Sequence, residues 1–166
     1  VGLDDAALRA AYQRLEKPMF NVLYRWLWDP AECMDAMHDA FLRVWSRREQ
    51  VRVDGLDALL YATALNLARN RRRWRALWRH DPADPQAAAP GEDPSAFAQR
   101  RADEGRVRDA LGVLSAAQRD VVVLSEFSGL STREIAAVLG IPEGTVGSRK
   151  HVALARLRAL LESGDA

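Results

Sequence analysis

Apolar side chains recur at steps of three and four over most of this chain, and the places where that rhythm breaks mark its elements. Leu8, Ala11, Tyr12, Leu15, Met19, Val22, Leu23, Trp26 and Leu27 keep helical phase, which predicts a helix over 5–27 that Pro18 should kink or divide. Asp29-Pro-Ala-Glu32 reads as the next start: the aspartate caps open N–H groups, proline fits the first turn and the glutamate sits where a capping box places one. The helix that follows puts Met34, Met37, Phe41, Val44 and Trp45 on one face, with Asp35, His38, Asp39 and Arg43 towards the others. A third helix opens at Asp54 or Gly55. Leu56, Leu59, Leu60, Thr63, Ala64, Leu67, Trp74 and Trp78 hold its phase, and by that spacing both tryptophans belong to the core.

The rhythm stops in residues 80–96, which hold four prolines and few large apolar groups. Such a stretch cannot pack a core and is expected to be an extended tether. Helical phase returns from Phe97 to Leu114 through Val107, Leu111 and Leu114. Ser115-Ala-Ala-Gln118 and Ser131-Thr-Arg-Glu134 are capping-box patterns that open two further helices. The first should bury Val121, Val122, Leu124 and Phe127 and end at Gly129. The second turns Ile135, Ala136, Val138 and Leu139 inward. Gly140 then allows a tight turn, Ile141 plugs the angle, and Pro142 starts a last helix held down by Val146, Ala153, Leu157 and Leu161. The expected fold is all-α: helical domains at 1–79 and 105–166, joined by a flexible acidic linker at 80–104.

Charge sharpens that division. The net charge is +1, but residues 1–79 carry 14 basic and 10 acidic side chains, residues 80–104 carry 2 and 6, and residues 105–166 carry 8 and 7. A basic front and an acidic middle hint at nucleic acid. The linker's acidity reads either as a mimic of nucleic acid in a basic channel or, more simply, as a soluble spacer. Cys33 is the one cysteine, so no intrachain disulfide can form, and a reducing compartment fits. With no signal peptide and no membrane-length apolar run, the expectation is a cytoplasmic protein without membrane insertion. Val1 in place of methionine points to a trimmed N-terminus.

Two patterns carry chemistry. Arg69, Arg71, Arg72, Arg73, Arg75 and Arg79 crowd the last turns of the third helix, interleaved with Trp74, Leu77 and Trp78. The plain reading is a solvated helix end whose charges suit the dipole. A phosphate backbone is the favoured one, because acidic partners for so many cations are scarce nearby in sequence. The second pattern, Gly129 to Arg149, has the cap, glycine turn and proline start of a helix-turn-helix, against the alternative of a helical hairpin in a regulatory bundle. Its last helix would offer Thr145, Ser148, Arg149 and Val152 to DNA, with Lys150 and His151 beside them.

Taken in order, these segments resemble the extracytoplasmic-function (ECF) class of bacterial sigma factors over nearly the whole chain. Asp29 to Trp45 is similar to the family's polymerase-binding helix, Leu60 to Arg73 to its promoter-melting helix, and Leu114 to Arg119 with Gly129 to Arg149 to region four. The resemblance implies that Asp35, His38, Asp39 and Arg43 dock on core RNA polymerase. The loop from Ser46 to Asp54 would hold a flipped base of the −10 element. Asn66, Asn70, Arg71, Arg72, Arg73 and Trp74 would form the −10 surface, and Thr145, Ser148, Arg149, Lys150 and Val152 would read the −35 element. Partners implied are core polymerase, promoter DNA and an anti-sigma factor, for which Met34, Met37 and Leu42 offer apolar contact unless they are core. The chain departs from the family at Gly147, where a lysine is usual, and at Val152 and Leu154, where arginines are common. Leu65 and Asn70 replace an arginine and an aspartate, and Lys150 an apolar residue.

The competing expectation is a helix-turn-helix regulator that works without polymerase, residues 1–79 serving as a sensor or dimerisation domain. An enzyme has little support: Cys33 and His38 share one helix, His80 and His151 lie far off, and no phosphate loop or spaced ligand series is present. No metal or cofactor is expected.

Overall fold

A computed structural model describes residues 2–78 and 90–164, and among them the regular elements are helices. α1 spans Asp5–Leu27, α2 Pro30–Ser46, α3 Leu56–Trp78, α4 Pro94–Gly112, α5 Ala116–Phe127, α6 Thr132–Leu139 and α7 Glu143–Gly164. A short 3₁₀ turn, Arg48–Gln50, lies between α2 and α3.

The helix ends follow local chemistry. Asp4 caps α1 by accepting from the Ala7 amide at 2.7 Å, and Trp28, in the left-handed region at φ 53°, closes its far end. Pro18 lies inside α1 without dividing it. It removes one backbone donor, but Leu15, Met19, Val22 and Leu23 on either side are buried and hold the helix through. Asp29 accepts from Ala31 and Glu32, so α2 starts at Pro30 as its sequence dictates. Both reciprocal capping boxes form: Ser115 with Gln118 on α5, and Ser131 with Glu134 on α6. Gly140, at φ 65°, makes the turn from α6 towards α7.

α1, α2 and α3 form one bundle, packed through Met19, Leu23, Met37, Leu60 and Tyr61. Met37 is fully buried, so it is core and not a surface for a partner. Cys33, Ala36 and Ala40 are fully buried too, and their small size lets α2 lie close to its neighbours. Among the described side chains of α3 the last buried one is Ala68. Beyond it the helix continues for about 15 Å at 1.5 Å per residue, held to its neighbours only by polar and cation-π contacts of Arg69, Arg71 and Arg72. Trp74 is therefore 60% exposed and not core, because helical phase cannot tell where the neighbouring helices stop. The side chain of Trp78 lies outside the described residues.

α5, α6 and α7 form a second body around Val121, Leu124, Ile135, Val146 and Ala153. Arg156 of α7 donates to Gln118 of α5 at 3.1 Å. Leu161 is 69% exposed rather than anchoring α7, since it lies two turns beyond Ala153, the last buried residue of that helix. Val107 is likewise exposed, because α4 packs into this body only through its end, at Leu111. α4 begins at Pro94, so residues 94–104 are helical; residues 80–89 lie outside the described residues. The two bodies also touch. α1 packs on α5, and α3 on α6, through one continuous apolar cluster.

Candidate nucleic-acid interface

The three faces of α3 have three different fates. Asn66, Asn70, Arg73, Trp74 and Leu77 follow at helical steps and are exposed. Asn66 is engaged only lightly, accepting from Arg69 at 3.4 Å. A second face turns to α2: Arg71 lies 2.8 Å from Asp39 and 3.7 Å from Asp35, and also donates to the Glu32 carbonyl. A third turns to the C-terminal body, where Arg69 meets Asp120 of α5 at 2.6 Å. Arg69 and Arg72 both lie over the Trp26 ring, and burial, with the nearby Arg119 and Arg108, lowers the Arg72 guanidinium's affinity for its proton. Acidic partners for this cluster do exist, but they arrive from residues far away in sequence. Of the cations expected to face DNA, Arg73 is exposed with no carboxylate paired to it among the described residues, whereas Arg71 is committed to α2. The Arg75 side chain and Arg79 lie outside the described residues.

The outward stripe of α2 consists of Asp35, His38, Asp39 and Leu42, with Arg43 alongside. Tyr12 of α1 stacks on His38, their hydroxyl and Nε2 3.3 Å apart. Leu42 is 64% exposed, and Met34 is half-buried against the core. Where α2 ends, Arg43, Val44, Ser46, Arg47, Val51, Leu59 and Thr63 line a cavity of about 280 Å³. Arg43 and Arg47 bring positive charge to it, and Val44, Val51 and Leu59 bring apolar surface. The chain entering α1 braces the same loop, with Leu3 donating to the Arg48 carbonyl.

In the C-terminal body, α6 and α7 meet at the Gly140 turn. Gly144, Gly147, Ser148, His151 and Val152 face outward on α7. Thr145, Arg149 and Lys150 are half-buried at the edges of that face. Lys150 is 3.4 Å from Glu126 of α5, and Ser148 donates to the Thr145 carbonyl within its own helix. Gly147 meets open space where a side chain would be. Among the described residues no group of His, Cys, Asp and Glu could hold a metal ion.

This architecture has close relatives. The family described as "Sigma-70, region 4" matches residues 104–157. The RNA polymerase sigma-E factor of Streptomyces avermitilis is 36% identical over 140 residues, which cover 82% of this chain and 75% of the relative. The ECF RNA polymerase sigma factor SigL of Mycobacterium tuberculosis is 31% identical over 95% of this chain and 90% of its own. The chain belongs to the ECF sigma factors. The fold is also that of CnrH as solved with the cytosolic domain of CnrY, with a TM-score of 0.75 at 24% identity, covering 96% of this sigma factor and 90% of that chain. A second similar structure is the sigma factor RpoE from Bartonella quintana with the anti-sigma factor NepR, with a TM-score of 0.60 at 23% identity, covering 95% and 92%.

Two long-range contacts of this sigma factor escape a reading of its sequence. Asp120 follows Arg119 in a stretch where charge pattern gives no hint that it is buried, yet it meets Arg69 across 51 residues. Tyr61 sits inside the segment Leu60 to Arg73 that resembles the family's promoter-melting helix, and its hydroxyl donates to the carbonyl of Ser128 at 3.3 Å. A buried phenol needs a partner, which is the one available signal, but nothing local says which partner.

Proposed function

We propose that this sigma factor docks on core RNA polymerase through Asp35, His38, Asp39 and Arg43 of α2. It then opens the −10 element with the outer face of α3 and reads the −35 element with α7. Trp74 carries the proposal. Trp74, 60% exposed beside Arg73 and Asn70, offers an aromatic surface, and a base stacked on it would contribute about 1–3 kcal/mol. The cavity at Arg43, Ser46 and Arg47 lies against the first turns of the same helix, at Leu59 and Thr63, and has the size and charge for an extruded base, whose unstacking costs a few kcal/mol. Asn66, Asn70 and Arg73 lie between the two. Arg72 borders the same face, and Arg71 joins it when its carboxylate partners are engaged elsewhere.

On α7, Ser148 and Val152 face outward, with Thr145, Arg149 and Lys150 bordering them, so bases are read at the centre and phosphates at the edges. An anti-sigma partner belongs to this reading. It is supported by the fold shared with two proteins solved with partner chains, one of them an anti-sigma factor, and by the exposed Leu42 beside the docking stripe. Among the described residues no helix is long and apolar enough to cross a membrane; a cytoplasmic site of action follows from the proposed partners.

The test is promoter opening by reconstituted holoenzyme, followed with a fluorescent base analogue in the −10 element. Trp74→Ala should still bind core polymerase and closed promoter, but lose at least tenfold in opening rate. Opening at the wild-type rate would refute the role of Trp74. Specific promoter binding that needs no core polymerase would instead favour an independent helix-turn-helix regulator.

A further inference from the structure

Asp120 joins the two halves of the molecule. It lies near the start of α5 and is 7% exposed. One carboxylate oxygen accepts from Arg69 of α3 at 2.6 Å, and the other has no hydrogen-bond partner among the described residues. Arg119 beside it and Arg149 of α7 both place positive charge on the carboxylate. This ion pair ties α3, one of the helices proposed to contact DNA, to α5, the helix on which α7 packs, and Arg149 of α7 adds only a weaker charge from farther off.

The contacts around it are of the same kind. Tyr61 of α3 donates to the Ser128 carbonyl, and the Arg25 guanidinium of α1 lies 4.1 Å from the centre of the Phe127 ring. The Tyr24 hydroxyl bonds Glu104 of α4 at 3.4 Å. Each contact joins α1 or α3 to α4, α5 or the turn after α5.

This packing cannot coexist with a promoter complex. The −35 and −10 elements are centred about 25 base pairs apart, roughly 80 Å along duplex DNA at 3.4 Å per pair. A compact chain of this length has a radius of gyration of only about 15 Å. With α3 held against α5 and α6 in this way, α3 and α7 cannot reach both elements. We propose that the free sigma factor rests in a self-closed state latched by Arg69 and Asp120. Engagement of polymerase and promoter requires that this contact be given up. The latch rests on the proposed roles of α3 and α7 only for its consequence; the closed state itself is read without DNA or polymerase.

Small-angle scattering on the full chain, alone and at low salt, tests it. The wild type should give a radius of gyration near 15 Å. Arg69→Asp and Asp120→Arg should each expand the chain by several ångströms while far-UV circular dichroism keeps its helical signal, and the double variant Arg69→Asp/Asp120→Arg should close it again. Should Asp120→Arg lose helix, Arg69→Gln, changed at a partly exposed position, gives the same reading through expansion alone. An expanded wild type, or folded single variants as compact as wild type, would overturn the latch. Expansion that the double variant does not reverse would show that this pair is not what holds the halves together. None of these outcomes depends on whether promoter recognition is assigned correctly.

Discussion

Arg71 of α3 and Asp39 of α2 face each other at 2.8 Å, so the expected polymerase-docking stripe and the expected promoter helix are tied by one ion pair. Arg71 is about a quarter exposed and Asp39 about half, and a pair this wet is worth about 0–1 kcal/mol. Its weight is in positioning. Arg71 also holds the Glu32 carbonyl, so it fixes the start of α2 against α3. Asp39→Asn keeps the shape of the side chain and removes the charge. It should cut affinity for core polymerase at least tenfold in a pull-down titration while the thermal midpoint moves by only a few degrees. Undiminished affinity would remove Asp39 from the docking surface. Asp39→Arg should abolish docking as well, but it sets a second cation against Arg71 and so also loosens the fold.

Arg149 has a different expected signature. A bidentate arginine contact to guanine is worth about 1–3 kcal/mol. Arg149→Ala should therefore weaken promoter binding by holoenzyme about 5- to 150-fold without changing affinity for core polymerase. Equal loss of both would show that Arg149 acts through the fold.

Gly147 offers a gain of function. A side chain there meets open space, and helical glycine costs about 0.5–1 kcal/mol relative to alanine. Gly147→Ala should raise the thermal midpoint without changing DNA affinity. Gly147→Lys should raise both, and should steepen the dependence of log affinity on log salt by about one unit for one added phosphate contact. Equal DNA affinity for the two variants would mean that this face of α7 does not approach phosphate.

Two carboxylates give stability opposite dependences on pH. Burial raises the Asp120 carboxyl above its ordinary 3.8, despite the opposing pull of Arg69, Arg119 and Arg149. In the folded chain it therefore holds its proton to higher pH than in the unfolded chain. Its contribution is fully present below the unfolded value and is lost as pH rises through the raised one. Glu134 is lowered below 4.5 by the backbone and side chain of Ser131 in the α6 capping box, so its contribution is present above 4.5 and is lost as pH falls through the lowered value. In urea titrations across the acid range, Glu134→Gln should reduce the loss of stability on acidification and Asp120→Asn should increase it. A shift of the same sign for both would contradict one of these environments.

Breaking a cap tests the most local feature of all. Ser131→Ala removes the side-chain acceptor at 3.2 Å from the Glu134 amide and should cost about 1 kcal/mol, read from the urea midpoint at constant slope. A loss below 0.3 kcal/mol would mean that Glu134 alone holds the end of α6.

How far the fold can be read along the chain depends on the range of the force involved. Asp29-Pro30, the two capping boxes and Gly140 were legible because each acts within about four residues, and helical phase likewise exposed the inward faces of α2, α5 and α6. The same phase misplaced Trp74, Leu161 and Val107, since it reports which side of a helix is apolar and is silent on where the helix covering it ends. It also gave no sign that Pro18 would be carried through α1, because the cost of one lost backbone bond is local and the burial offsetting it is not.

The chain by itself determined the helices, their caps, the helix-turn-helix and membership of the ECF sigma factors, all of which rest on order and spacing. Only tertiary structure decided where the arginines of α3 go. Arg69 and Arg71 reach carboxylates 51 and 32 residues away, and Arg73 is left facing solvent. Charge neutralisation acts through space, so neighbours in sequence could not show which cations were already spoken for.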